Sequence, residues 1–83
     1  MEIQTQATQP VTETILVFKT NLNSHQDVVN IESGLNNIRE ITTWSVDTHD
    51  IDKVLRIETT SDNISTMIIS ILNETGYQCE ELN

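Results

Sequence analysis

The stretch Thr20–Asp27, TNLNSHQD, marks the point at which the hydrophobic pattern of this 83-residue chain changes. Before it, Ile15–Phe18 is apolar at every position, which predicts a central strand buried on both faces or nearly so. After it, apolar residues recur at intervals of three, four and three, as in one stripe of a helix: Val28, Ile31, Leu35 and Ile38. Because Asn23 and Ser24 both suit the N-cap position, the stretch is predicted to be a strand-to-helix loop.

The rest of the chain alternates between the same two patterns. Residues 42–47 have a period of two, 48–50 read as a turn, and 53–58 return as the second strand of a hairpin. A second helix follows, and Gly76 is well placed to end it. On the inner face of the hairpin we expect Thr42, Trp44, Val46, Leu55 and Ile57. On the apolar side of the second helix we expect Ile64, Ile68, Ile71 and Leu72. Tyr77 and Cys79 begin a short last strand.

The predicted order is β-α-β-β-α-β. Two helices that each carry a single apolar stripe need a common sheet to cover, so we predict an α+β, ferredoxin-like sandwich with a four-stranded antiparallel sheet and both helices on one face. Gly34, inside the first helix, would suit a helix that lies close to the sheet. Residues 1–12, rich in Gln and Thr, are predicted to be a disordered lead-in, and residues 13–83 to be the domain.

Composition excludes several classes of function. Thirteen acidic residues against four basic ones give a net charge of −9, which opposes binding to nucleic acid or to an anionic membrane surface. No apolar run approaches the ~18 residues that membrane insertion requires. The lone cysteine, Cys79, cannot form an intrachain disulfide, so a reducing cytoplasm is the expected compartment, with Cys79 serving as a small buried hydrophobic residue.

The order and spacing of these segments resemble the heavy-metal-associated domain found in copper chaperones and at the N-termini of metal-pumping ATPases. The resemblance runs from about Thr14 to Leu82 and includes the apolar spacing of the first helix. Ile41–Asp47 matches the family's Val-x-x-x-x-Val-Asp strand, and Gly76–Leu82 matches its closing Gly-Tyr-x-x-x-x-Leu segment. The resemblance implies the ferredoxin-like fold and places Tyr77 near the metal loop.

The departures from that family fall in the metal loop itself. Where the family has Met-x-Cys-x-x-Cys, this chain has Leu22, Ser24 and Asp27, and Asn21 replaces the glycine before the methionine. Soft ions such as Cu(I) select thiolates, so we expect neither soft-metal transfer nor a cofactor. Ser24 and Asp27 can instead form a variant of the capping box at the start of the first helix.

A harder ion would have to use Ser24, His25 and Asp27, which are weak candidates. His25 and Asp27 supply two ligands, fewer than the three or four that a zinc site uses. His49, with Asp47 and Asp50, forms a turn cluster of a kind that turns favour for backbone reasons. The first loop and the hairpin turn are expected at opposite ends of the sheet, which argues against a combined site.

Catalysis is not expected. Ser24 and His25 are neighbours at a helix start and point in different directions, so they do not form a nucleophile–base pair. With only Gly34 and Gly76 in the chain, there is no glycine-rich phosphate loop.

The preferred hypothesis is therefore a small non-enzymatic domain that acts through protein contact, with an unknown protein or with a second copy as a homo-oligomer. The expected interaction patch lies on the sheet face opposite the helices and comprises Val17, Lys19, Val54 and Arg56. One alternative is a metal-binding domain with non-thiolate ligands in the His25 and Asp27 region. Another is a small-ligand-sensing module of the ACT type, although that class has a glycine-rich first turn and Asn21–Ser24 has no glycine.

Overall fold

The computed structural model describes residues 13–82, so the predicted disordered segment 1–12 lies outside the described residues and the domain boundary stays a prediction. The helices and strands follow the predicted order. They are β1 (Thr14–Thr20), α1 (His25–Asn36), β2 (Ile41–Asp47), β3 (Val54–Thr59), α2 (Ser65–Thr75) and β4 (Cys79–Glu81), with a short 3-10 turn, Asp62–Ile64, before α2. No helix among the described residues is long and apolar enough to cross a membrane.

The four strands form one antiparallel sheet in the order β2-β3-β1-β4, which confirms the ferredoxin-like α+β fold. On β1, the buried residues Leu16, Phe18 and Thr20 alternate with residues of the other face. The prediction that β1 is buried on both faces is wrong, because both helices cover the same face and leave the other one open. Ile15, on the open face, keeps 47% of its surface exposed.

The core lies between the covered sheet face and the two helices. The α1 helix buries Ile31 and Leu35, and α2 buries Ile68 and Leu72, as their predicted stripes require. The apolar residues with no exposed surface come from both layers: Phe18, Leu22, Leu35, Leu55, Ile57, Ile68 and Leu72. Gly76 ends α2 in the left-handed conformation (φ 105°), which glycine adopts without steric cost.

The inner face of the hairpin differs from the prediction at one position. The pairing of β2 with β3 shifts register between Ile41 and Thr43, so Ile41 packs against the core and Thr42 is exposed. Beyond this irregularity the prediction is confirmed: Trp44 pairs with Ile57, and both Trp44 and Val46 pack against the core. A bulge adds one residue to one strand and therefore reverses the face parity on one side of it.

The start of β3 is set by Lys53. This residue has φ +47°, outside the strand region, so β3 begins at Val54 rather than at the predicted Lys53. The Lys53 ammonium donates to the Thr48 carbonyl across the turn (2.8 Å).

Gly34 allows the two helices to approach each other. A Cβ atom added at Gly34 would lie 2.8 Å from Ile71 Cγ2 of α2, closer than real Cβ contacts allow. Gly34 was expected to let the helix lie close to the sheet; its missing side chain instead makes room for the other helix.

We expect Gly34→Ala to destabilise the fold by roughly 1 kcal/mol. Alanine gains about 1 kcal/mol of helix propensity, but overpacking a contact with a stiff β-branched side chain costs about 1–3 kcal/mol. Urea unfolding measures the difference in free energy. In an Ile71→Leu background, which removes Cγ2, the same substitution should become neutral or stabilising. An equal effect in both backgrounds would show that Ile71 is not the obstacle.

Candidate functional site

Three connections meet at one end of the sheet: the first loop (residues 21–24), the hairpin turn (48–53) and the link from α2 to β4 (76–78). The antiparallel pairing of Phe18 with Leu55 sets the end of β1 beside the start of β3. The Thr20 amide donates to the Asp52 carbonyl at 3.0 Å. The expectation that the first loop and the hairpin turn lie at opposite ends is therefore wrong.

Ser24 is the N-cap of α1, as predicted. Its extended backbone (φ −138°, ψ 167°) lets its Oγ accept a hydrogen bond from the Asp27 amide at 3.2 Å. Asp27 reaches back, and its Oδ2 accepts from the Asn23 amide at 2.9 Å. This is the expected variant of the capping box, with the returning bond one residue earlier than in the standard form.

The link after α2 closes over this cap. The Tyr77 hydroxyl donates to Asp27 Oδ1 at 2.9 Å and accepts from the Asn30 side-chain amide, also at 2.9 Å. Both carboxylate oxygens of Asp27 are thus engaged by the protein itself. The resemblance placed Tyr77 near this loop, and the structure confirms that position. We refer to Asn23, Ser24, Asp27, Asn30 and Tyr77 as the loop cap.

The hydrogen bonds of the loop cap lower the pKa of Asp27 below its ordinary value of 3.8. The Asn23 amide contributes most, followed by the Tyr77 hydroxyl, with Ser24 adding to them; partial burial opposes these bonds. A carboxyl group whose folded-state pKa is depressed stabilises the fold at pH values above its unfolded pKa. That contribution is lost as the pH falls through the folded-state pKa.

Asp27→Asn should therefore be less stable than the wild type at pH 7, with a difference that shrinks as the pH falls below 3.8. Urea unfolding at pH 7, 5, 3.5 and 2.5 measures this difference. Glu32→Gln, at an exposed position of α1, controls for the loss of one negative charge from an acidic chain. A deficit of constant size from pH 7 to 2.5 would show that the charged form of Asp27 has no role in the cap.

The buried side chain of Thr20 links the first loop to the hairpin turn through hydrogen bonds. It is 7% exposed, its Oγ1 donates to the Lys53 carbonyl, and the same oxygen accepts from the Leu22 amide at 3.2 Å. Leu22, at the family's methionine position, is fully buried and anchors the loop. Thr20 was not predicted as a site residue, although it follows Leu16 and Phe18 on the buried face of β1 and could have been identified from that alternation.

The histidine positions do not converge on a ligand set. His25 is the exposed first residue of α1, and His49 is exposed in the hairpin turn. In that turn Asp47 accepts from the His49 and Asp50 amides (3.0 and 3.2 Å), the backbone role expected of a turn aspartate. Across residues 13–82, no three His, Cys, Asp or Glu side chains are grouped so that they could hold a metal ion.

Cys79 begins β4 and packs against the core, half-buried. Burial raises the pKa of its thiol to about 11, so the thiol is protonated at neutral pH. The role of a small, partly buried hydrophobic residue agrees with the prediction.

The predicted interaction residues share the open sheet face. Val17 pairs with Arg56, and both valines, Val17 and Val54, are half-buried, whereas Lys19 and Arg56 are exposed. Ile15 extends this surface and was missed because its strand was predicted to be buried on both sides. The Lys19 ammonium lies 3.9 Å from Asp52 Oδ1. We refer to Ile15, Val17, Lys19, Val54 and Arg56 as the sheet-face patch.

No protein-family profile matches this sequence, and the search of curated proteins found no match. Solved structures do match the fold. A yeast copper transporter domain, solved in apo and Cu(I)-loaded states, aligns with TM-score 0.71 and 13% identity over 83% of this chain and 94% of that one. The Cu(I)-loaded first domain of the human copper chaperone for SOD1 aligns with TM-score 0.67 and 20% identity, over 84% and 93%.

Oxidised MerP from Ralstonia metallidurans CH34 aligns with TM-score 0.69 at only 4% identity, over 87% of this chain and all of that one. At these identities the likeness shows the fold alone. The matched proteins include metal chaperone and transporter domains, among them the HMA domain of a copper chaperone for superoxide dismutase. This chain therefore shares the fold of heavy-metal-associated domains, with Ser24 and Asp27 at the two positions where the resemblance places the metal-binding cysteines.

Proposed function

We propose that this chain is a non-enzymatic domain of heavy-metal-associated fold that carries no soft metal and works through protein contact. The observation that carries the proposal is the loop cap. Ser24 Oγ accepts a hydrogen bond from the Asp27 amide. The two carboxylate oxygens of Asp27 accept from the Asn23 amide and from the Tyr77 hydroxyl. The loop is thus held by internal bonds at the place where copper-carrying relatives of this fold would hold their ion.

The residues of the loop do not fit a soft metal. Cu(I) selects thiolate and thioether ligands, and the loop offers a hydroxyl and a carboxylate at the relevant positions. The chain's one thiol, Cys79, lies on β4 and is protonated at neutral pH. A thiol must lose its proton before it can bind a metal, which a raised pKa disfavours, and one thiol is fewer than the two thiolates of the Met-x-Cys-x-x-Cys loop.

The surface that best suits protein contact is the sheet-face patch. It combines partly exposed Ile15 and Val17 with two of the chain's four Lys and Arg residues, on a chain of net charge −9. Apolar side chains beside arginine are typical of interface centres. The patch therefore suits a partner with an apolar surface and acidic neighbours, or a second copy that presents its own carboxylates. We further propose that the domain works in a reducing compartment, the cytoplasm, because its single thiol has no intrachain partner.

Photo-cross-linking in native extract tests the contact role. A photo-reactive phenylalanine derivative is placed at Ile15, in the patch, and in a separate protein at Met67, on α2. These positions form a matched pair because the native side chains are 47% and 48% exposed. We expect a discrete adduct from position 15 alone. An adduct of twice the chain's mass identifies self-association, and Arg56→Glu should weaken an adduct with an acidic partner.

The contact proposal fails if the two positions give the same adducts, or if position 15 gives none.

A further inference from the structure

The two edges of the sheet are protected to different degrees. The β4 edge is three residues long and contains Glu80 and Glu81, and short charged strands are a common defence against unwanted pairing. The other edge, β2, runs for seven residues and, within residues 13–82, pairs only with β3. From Ile41 to Val46 it has no charge, proline or glycine that would deter an added strand on its outer side.

A preformed cavity adjoins this open edge. It has a volume of about 200 Å³ and lies between the end of α1 and the start of β2, with Ile38, Ile41, Thr43 and Trp44 in its walls. The Trp44 indole is fixed there, because its Nε1 donates to Asn36 Oδ1 at 3.0 Å. The register shift between Ile41 and Thr43 lies at the same place. A strand added to β2 could insert one side chain into this cavity, which would define its register.

Charge indicates which kind of strand would bind. Carboxylates surround the neutral run: Glu40 precedes β2, Asp47 ends it, Glu58 pairs with Thr43, and Glu13 accepts from the Thr42 hydroxyl at 2.7 Å. Two cations, Arg39 and Arg56, offset part of this charge, and the whole chain stays at −9. Two copies meeting at β2 would bring these carboxylates together and repel each other at this edge, whereas a basic segment is attracted.

We propose that β2 is a docking edge for an extended, cationic segment of a partner protein, which extends the sheet by one strand. Backbone hydrogen bonds along residues 42–46 supply the affinity, and the cavity beside Trp44 accepts one side chain of the segment. This edge lies apart from the loop cap and beside the sheet-face patch, where Arg56 is next to Ser45, and the proposal does not require that patch to bind a partner.

The probe is a synthetic peptide of alternating Lys and Val with one central Leu, titrated into the ¹⁵N-labelled chain at low salt. We expect saturable shifts in β2 and in the Trp44 indole, together with slower amide exchange at residues 42–46. Alternate N-methylation of the peptide removes strand pairing and keeps its charge, and it should weaken binding at least tenfold. Thr43→Lys/Ser45→Lys should also weaken binding about tenfold relative to Ser33→Lys/Ser70→Lys, which has the same net charge on exposed helix positions.

Three results would overturn the proposal. Equal binding of the N-methylated peptide would show simple charge attraction, and shifts outside β2, or no saturable binding, would show that the edge is not a docking site. Concentration-dependent β2 shifts in the peptide-free chain would assign the edge to a second copy instead.

Discussion

Ser24→Cys/Asp27→Cys is expected to create a Cu(I) site in the first loop. The two positions occupy the N-cap and the first turn of α1, and Ser24 Oγ already lies 3.2 Å from the Asp27 amide. A helix N-terminus lowers the pKa of a cysteine, so both new thiols become effective ligands near neutral pH. We expect the affinity to rise from weaker than about 1 mM to about 1 μM or better, a gain of roughly 4 kcal/mol.

The same substitution should make the metal-free protein less stable. It removes the Ser24 cap, which is worth about 1 kcal/mol, and the bonds that Asp27 makes to Asn23 and Tyr77. Added Cu(I) should then raise the melting temperature, because a ligand that binds only the folded state stabilises it. Competition with a Cu(I) chelator measures the affinity, and calorimetry under reducing conditions measures the stability.

The matched control is Ser70→Cys/Asn73→Cys, which places two thiols at the same i,i+3 spacing on exposed positions of α2, away from the helix start. If the loop variant bound Cu(I) no more tightly than this control, the first loop would not have the geometry that a two-thiolate site needs.

Thr20→Val is expected to destabilise the fold by about 2–4 kcal/mol. The substitution keeps the side-chain shape but removes the oxygen that serves the Lys53 carbonyl and the Leu22 amide in a buried setting. A buried polar group left without a partner costs about 1–3 kcal/mol, and this change orphans two of them. For a domain with roughly 4–12 kcal/mol of total stability, that is a large share.

Urea unfolding of Thr20→Val and Thr43→Val measures the effect. Thr43 is exposed on the open sheet face, so its substitution should change the free energy of unfolding by less than about 0.5 kcal/mol. Because Thr20 connects two loops, hydrogen exchange should accelerate at residues 21–24 and 50–53 together. Equal stability of the two variants, with unchanged exchange, would mean that Thr20 does not join these loops.

Periodicity was sufficient to predict the helices and the sheet, because burial against a single core leaves a regular pattern. Ile31 and Leu35 in α1 and Ile68 and Leu72 in α2 are buried as their spacing requires. Periodicity failed where one residue changes the register: the irregularity between Ile41 and Thr43 moves Thr42 to the outside. It also failed at Ile15, since an apolar residue on an open sheet face has the same local sequence pattern as a buried one.

The candidate site was predicted in part. The hydrogen-bonded cap formed by Ser24 and Asp27 could be predicted from the sequence, because a capping box joins residues only three positions apart. The bond between Tyr77 and Asp27 joins residues 50 apart in sequence, and only the family resemblance indicated that they lie close together. The hairpin turn was predicted at the wrong end of the sheet, although the predicted strand order already contained the information needed to place it. In an antiparallel sheet the end of β1 must adjoin the start of β3.

A metal titration of the wild-type chain, followed through its ¹H–¹⁵N NMR spectrum, decides whether the loop cap stands in place of a metal site. Zn(II), Ni(II), Mn(II) and, under reducing conditions, Cu(I) are added in turn. The loop cap predicts no saturable shift at residues 21–28, and at most weak, scattered changes near the acidic side chains. Saturable shifts confined to residues 21–28 at micromolar metal would contradict it and make the chain a metal carrier with non-thiolate ligands.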